Sequence, residues 1–428
     1  MPDNKEVLNN EEMRKLASYV GLAELFIGLC LLGFAFESLA NQFAAFYGRP
    51  LNPDVPTYLS GAQEMVFFWD SGLREPLQVF FFRIGYLFSS DGEYIARLVT
   101  TVQTMGLLFI VWGLARSYLG RAFGIVALYL VSTNPIIIYY GPSGMRAPLY
   151  TMIILILTWC LFSAWSTQRW KIKAVTIGLI LGALILTRAL AFPICVGALI
   201  LFYLYFREKR NGLEPALAGT AALSLLIACI LYLPHFFLRE SSIGNNATAF
   251  FRNFEQTGRA HYSPETSNVS FFEWIFLEHS PTWIIEKIFG NTFLFFTDYL
   301  PHFFRGYEPL VFLVPAAMLF SFLNRQWPLT FMCLFALAPV LFILHFDPQP
   351  GMTGVESRFV YPTYPLALFL MLNCWLQLTH TIATLKKPQS LLFHSMFALL
   401  FSRSDTFLPR PCQTPKLSRR HPSISPPL

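Results

Sequence analysis

The sequence predicts an all-α polytopic membrane protein of about ten to eleven transmembrane helices, with amphipathic interfacial helices in the first external loop. Composition points there first. Of 428 residues, 54% are hydrophobic and 17% aromatic, and only 13% are charged, where soluble domains carry roughly a quarter. Mean hydropathy is +0.48. The apolar residues also fall in runs near the roughly 20 residues that a hydrocarbon core requires. These runs lie at 17–38, 95–116, 121–140, 147–166, 172–188, 190–206, 215–238, 308–324, 328–346 and 359–383. Only Thr187-Arg188-Ala189 separates the pair at 172–206, which predicts a tight helical hairpin. Residues 271–304 are aromatic but broken by Glu273, Glu278, His279, Glu286, Lys287 and Asp298, so they read as interfacial or re-entrant, with an extra span as the alternative.

Basic residues sort by loop. Arg116 and Arg121, then Arg169, Lys171 and Lys173, then Arg207, Lys209 and Arg210, then Arg325, and finally Lys386 and Lys387 occupy alternate short loops. The positive-inside rule makes that side cytoplasmic. The predicted organisation is a cytoplasmic N-terminus at 1–16, a membrane domain at 17–385 and a disordered cytoplasmic tail at 386–428, rich in Pro, Ser and Arg. The long external loops are 41–94 and 239–307. The first apolar run follows Glu11, Glu12, Arg14 and Lys15 and is too long for a cleaved leader, so it reads as an anchor. A net charge of +6 distributed in this way is no nucleic-acid footprint. Six of the seven cysteines fall inside spans, which excludes a disulfide framework.

In the first loop Asp54, Tyr58, Ala62 and Met65 recur at helical spacing, which places them on one helix face. The pattern predicts one helix over Tyr58–Trp69 and a second over Pro76–Phe88. Pro76 suits the first helical turn, and Leu77, Phe80, Phe81, Ile84, Leu87 and Phe88 form a stripe. Two such helices would make a shelf at the membrane surface. Asp70, ahead of Ser71-Gly72, reads as a turn residue. Glu24, near the cytoplasmic end of the first span, reads as a structural charge, with an ion path as the alternative. The eight histidines make no HExxH and no Cys/His pairing, and no Gly-rich phosphate loop occurs.

These features together resemble the GT-C class of polyprenyl-phosphate-sugar glycosyltransferases, in particular the aminoarabinose transferase and protein O-mannosyltransferase-like (family 39-like) group. Asp54, Tyr58, Ala62, Glu64 and Met65 are similar to that group's D-x-x-x-Y-x-x-x-A-x-E-M helix. Glu75-Pro76-Leu77 resembles its acid-proline motif, with one proline where many relatives have two. Asp91 to Leu98, Asn134-Pro135, Arg146 to Tyr150, Gly182 to Arg188 and Ser357 to Pro365 follow in the family's order. Ala147 departs from it, since many relatives carry an acid there. The resemblance implies a GT-C-like bundle over residues 15–380 and transfer of a sugar from a lipid phosphate to an external acceptor.

Such a reaction needs a base for the acceptor hydroxyl and fixed positive charge at the departing phosphate. The resemblance implies Asp54 as the base, with inversion, and Glu75 as a second catalytic carboxylate. Tyr58, Arg74, Arg146, Arg188 and Arg358 are the expected substrate-binding residues, since arginine grips phosphate through two parallel bonds. The residues alone leave other roles open: Asp54 as a helix N-cap, Glu75 in an ion pair with Arg74 or another loop residue, and the arginines reaching for headgroups. No protein-built metal site is expected; a divalent cation, Mg or Mn, bridging Asp54 and the donor phosphate is left open. The expected partners are the donor, a lipid, glycan or protein acceptor, and membrane lipids, and no nucleic acid. The expected location is a bacterial inner membrane. A transporter or flippase of lipid-linked saccharides, or an inactive relative, is the competing reading. A transporter should show Gly/Pro-broken spans at matching positions in two halves, and the sequence has no such pairing.

Overall fold

The computed structural model describes residues 4–52, 54–71, 75–163, 169–188, 191–209, 214–238, 273, 277–304, 308–323, 330 and 361–383. Among these there is no strand. The helices are α1 (Asn4–Phe46), α2 (Val55–Glu64), α3 (Pro76–Gly85), α4 (Gly92–Leu119), α5 (Arg121–Ser132), α6 (Pro135–Tyr140), α7 (Ala147–Phe162), α8 (Trp170–Thr187), α9 (Phe192–Lys209), α10 (Glu214–Leu238), α11 (Pro281–Leu294), α12 (Leu313–Leu323) and α13 (Thr363–Ala383). Residues Ser18–Phe46, α4, α8 and α10 are long and apolar enough to cross a membrane. Shorter apolar helices cover Arg121–Ser132, Ala147–Leu161, Ile194–Arg207 and Leu310–Leu323. The chain is an all-α polytopic membrane protein. Residues Met1–Cys374 form one compact unit, to which α13 contributes its first part; Trp375–Leu428 form a second. The run expected to span at 328–346 lies outside the described residues apart from Thr330, as do most of the loop from 239 and the tail.

Local chemistry sets the boundaries. Asp91 caps α4 by accepting from the Tyr94 amide at 3.1 Å. At its far end Gly120 takes φ 91°, a conformation that suits glycine, and α5 starts at the next residue. The single span expected at 121–140 is broken. Asn134 precedes a proline, which disfavours helical backbone, and its side chain accepts from the Ile136 and Ile137 amides at 2.9 and 3.2 Å to start α6. The segment expected to be interfacial or re-entrant is helical from Pro281 to Phe303, with a π-helical turn at Phe295–Tyr299.

Among the described helices, α8 and α10 pack closely along their length. Gly178 and Gly182 lie one turn apart on α8, and a Cβ on Gly178 would stand 2.7 Å from Ile227 Cβ. Ser224 Oγ on α10 donates to the Ala174 carbonyl at 3.0 Å. Between α8 and α9 the Ala191 amide bonds the Arg188 carbonyl at 2.9 Å. However, α8 runs along α10 and α7 rather than closely along α9. At the end of the bundle opposite α2 and α3, the buried Glu24 carboxylate pairs with Arg116 Nε at 3.0 Å and Arg121 Nε at 3.5 Å. Glu24 therefore ties α1 to the α4–α5 corner, the structural role expected for it.

The first loop is helical, with two corrections. The α2 helix ends at Glu64, so Phe67-Phe68-Trp69 lies in a turn, where the Asp70 amide bonds the Phe67 carbonyl at 2.9 Å. On α3 the apolar stripe is not the buried face. Gln78, Val79 and Phe82 are buried, whereas Leu77, Phe80, Phe81 and Ile84 are half-exposed; the helix ends at Gly85 rather than Phe88, and Leu87 and Phe88 lie exposed beyond it. Where a helix meets lipid its most apolar face can turn outward, because burial in protein is no longer the only way to leave water. Trp69 ties this loop to α10. Its indole Nε1 donates to the Leu231 carbonyl at 2.8 Å, beside the turn that Pro234 loosens.

Candidate active site

At one end of the bundle, α2 and α3 pack together and against α4. Val55, Tyr58, Leu59, Ala62, Met65, Val79, Phe82, Ile95, Ala96 and Met145 form their common core. The face expected from the Asp54–Met65 spacing is thus the buried face of α2. Asp54 sits immediately before this helix, half-buried, with its amide on Asn52 Oδ1 at 3.2 Å. Its side chain makes no capping bond to the helix, so capping does not account for the carboxylate.

Glu75 likewise precedes α3 without capping it. Its carboxylate turns instead to Arg146 and forms an ion pair with it. Arg146 lies just before α7, donates to the Thr187 carbonyl at 3.4 Å, and holds its guanidinium 5.8 Å from the centre of the Tyr58 ring. The Thr187 carbonyl belongs to the C-terminal turn of α8, where a cation is favoured. Burial opposes the Arg146 charge, yet Glu75, Tyr58 and Asp54 together raise its pKa above the ordinary value. Asp54 therefore lies within electrostatic reach of the same guanidinium.

Arg188 follows α8, is buried, and lies 5.5 Å from the centre of the Tyr150 ring. Tyr150 is one turn along from Arg146, on the same face, and within electrostatic reach of both arginines. Tyr58 is fully buried, its ring edge-on to Phe82 at 6.3 Å. Its ring faces the Arg146 guanidinium and presents no surface of its own.

The structure therefore brings together Asp54, Tyr58, Glu75, Arg146 and Arg188. Arg74 and Arg358 lie outside the described residues. Sequence reasoning missed Tyr150 and the Glu75–Arg146 partnership; the i, i+4 spacing of Arg146 and Tyr150 is the one signal that could have revealed the former. The late motif is described only from Tyr361. There Tyr361 packs edge-on to Tyr140 at 5.9 Å, and Tyr364 donates to the Leu130 carbonyl at 3.0 Å, both on buried structural contacts. Chemically, the cluster offers a half-buried carboxylate as proton acceptor, two guanidiniums for an anion, and aromatic walls. Among the described residues no group of three His, Cys, Asp or Glu side chains could hold a metal ion.

The profile of the family described as dolichyl-phosphate-mannose-protein mannosyltransferase matches residues 74–235, from just before α3 through most of α10. No curated protein matches the chain. Among solved structures, an oligosaccharyltransferase of Archaeoglobus fulgidus, in complex with Zn and sulfate, aligns over 87% of this chain and 51% of its own at 15% identity and a TM-score of 0.52. The chain has the GT-C fold. An archaeal oligosaccharyltransferase, AglB from Archaeoglobus fulgidus, in complex with an inhibitory peptide and a dolichol-phosphate, aligns over 87% of this chain and 54% of its own at 13% identity and a TM-score of 0.50. ArnT from Cupriavidus metallidurans in the apo state aligns over 89% of this chain and 64% of its own at 17% identity and a TM-score of 0.49. The chain thus spans between half and two thirds of the length of these GT-C proteins. The family match starts at Arg74, so Asp54 and α2 precede it.

Proposed function

We propose that this chain is an integral-membrane glycosyltransferase that moves a hexosyl or pentosyl group from a polyprenyl-phosphate carrier to an external lipid, glycan or protein acceptor. The observation that carries this reading is the convergence of Asp54, Glu75, Arg146 and Arg188 around Tyr58 and Tyr150 at one end of a GT-C bundle. The matched family is named for a dolichyl-phosphate sugar, and AglB is in complex with a dolichol-phosphate. Both support a lipid-phosphate donor. The basic loops support a cytoplasmic N-terminus and a site on the opposite face; the site face is periplasmic if the host is bacterial and the membrane its inner one.

In this mechanism the acceptor hydroxyl oxygen attacks the anomeric carbon from the side opposite the phosphate, and the configuration inverts. The sugar–phosphate C–O bond breaks and its electron pair leaves on the phosphate oxygen. Asp54 takes the hydroxyl proton as the new glycosidic bond forms. Arg146 and Arg188 meet the charge that builds on the phosphate, in a setting where fixed charge is worth far more than in water. Glu75 aims Arg146, and Tyr58 and Tyr150 seat the two guanidiniums. Were a Mg or Mn ion to bind, Asp54 would be its carboxylate ligand among the described residues of this cluster, since Glu75 is engaged by Arg146, and the donor's own phosphate oxygens would supply further ligands.

The test is consumption of radiolabelled polyprenyl-phosphate sugars by the purified protein in lipid, with Asp54→Asn in parallel. Transfer in the wild type and a loss of about a hundredfold or more in Asp54→Asn is the expected result. Full transfer by Asp54→Asn at equal expression removes Asp54 from the role of base. Net movement of an intact lipid-linked sugar without its consumption overturns the transferase reading.

A further inference from the structure

We propose that Arg97, together with Thr100 on the next turn of α4, is a positioning residue that fixes the two loops carrying Asp54 and Arg146; its catalytic meaning rests on the transferase reading above. Arg97 is 2% exposed. Its Nε donates to Glu93 Oε1 at 2.8 Å, one terminal nitrogen donates to the Pro142 carbonyl at 3.2 Å, and the other to the Arg49 carbonyl at 3.0 Å. The guanidinium also lies 5.6 Å from the centre of the Phe46 ring. Arg49 begins the stretch that leads to Asp54, and Pro142 the stretch that leads to Arg146. One planar group thus holds both loops at once.

Thr100 adds a second tie. Its hydroxyl donates to the Ala96 carbonyl at 2.9 Å and accepts from the Gly144 amide at 3.1 Å. Gly144 takes φ +78°, and a Cβ there would meet both Val55 γ-carbons at 3.0 Å and Ala96 Cβ at 3.3 Å. The Arg146 loop therefore rests directly on the residue that follows Asp54. Glu93, the carboxylate partner of Arg97, also accepts from the Gly48 amide at 2.9 Å, which secures the near end of the other loop. Burying a guanidinium adds little net stability. A three-way fork of this shape is what fixed geometry requires, and a lysine ammonium cannot reproduce it.

The experiment compares wild type, Arg97→Lys, Thr100→Val, Thr100→Ser and, as a control at the other end of the bundle, Glu24→Gln, all in lipid nanodiscs. Amide hydrogen exchange is read over Arg49–Val55 and Pro142–Arg146, alongside thermal stability and the kcat and donor KM of sugar transfer. Arg97→Lys and Thr100→Val are expected to speed exchange in these segments and to lower kcat about tenfold or more, with a smaller change in KM. Thr100→Ser is expected to restore both. Glu24→Gln is expected to lower the melting temperature and change neither. Unchanged exchange in both segments overturns the proposal, as does a kcat loss in Glu24→Gln as large as that in Arg97→Lys at equal loss of stability. Should Arg97→Lys fail to fold, the Thr100 pair decides. If exchange responds as expected while the wild type consumes no donor, the brace stands and the transferase reading falls.

Discussion

At the scale of single residues, Glu75 and Arg146 set the character of the site. The Glu75 side chain is 12% exposed and that of Arg146 21%, so removing either strands a mostly buried charge. Arg146→Ala is expected to destabilise the protein by about 3–5 kcal/mol. Replacing the pair together, as Glu75→Leu with Arg146→Met, is expected to recover most of that loss in thermal denaturation while transfer stays absent. A double variant no more stable than Arg146→Ala would show that the two side chains do not act as a pair. The raised pKa of Arg146 also predicts a pH response. A base held above its unfolded value stabilises fully below that value and loses its contribution only as pH rises through the folded one. The contribution of this pair is therefore expected to persist on the alkaline side to at least about pH 10, measurable as a constant stability difference between wild type and the double variant.

At the scale of elements, what the sequence could show depended on how far apart the partners lie. The α2 face was legible because Asp54, Tyr58, Ala62 and Met65 are neighbours at one helical period, and Tyr58, Ala62 and Met65 are buried as that period requires. The α3 face is not legible in the same way, since apolar periodicity does not distinguish a face turned to protein from one turned outward. The Asn134-Pro135 break is visible as a motif, but the apolar residues on either side of it run on as one long stretch. Glu75 and Arg146 stand far apart in the chain, and no local spacing encodes their meeting. Packing makes its own prediction at this scale. Gly178→Leu is expected to force α8 from α10 and to cost about 1–3 kcal/mol or more, read as a lowered melting temperature. The α1–α4 tie makes another. The Tyr47 hydroxyl donates to Asp91 and, with the Tyr94 amide, holds that carboxylate below its usual pKa. A lowered carboxylate stabilises above its unfolded value and loses that contribution as pH falls through the folded one. Faster amide exchange at the start of α4 is expected below about pH 4 in the wild type, and Asp91→Asn is expected to show that faster exchange already at neutral pH.

At the scale of the whole molecule, the two ends of the bundle carry different chemistry: acids and arginines around tyrosines at one, a carboxylate locked by two arginines at the other. The orientation proposed from the basic loops puts the Glu24 end inside. Single cysteines introduced at Ser90 and Ser117 test that orientation against a membrane-impermeant thiol reagent in a background without the native cysteines. Labelling of Ser90→Cys in intact cells, and of Ser117→Cys only after permeabilisation, is the expected pattern; the reverse pattern inverts the topology. The Glu24 lock also has a history during synthesis. Its arginines emerge about ninety residues after it, which is several seconds at ordinary translation rates. For that interval α1 carries a carboxylate whose insertion into lipid is unfavourable and still uncompensated. The helix that carries Glu24 thus has reason to linger beside the insertion machinery until α4 and α5 arrive, and to enter the bilayer together with them.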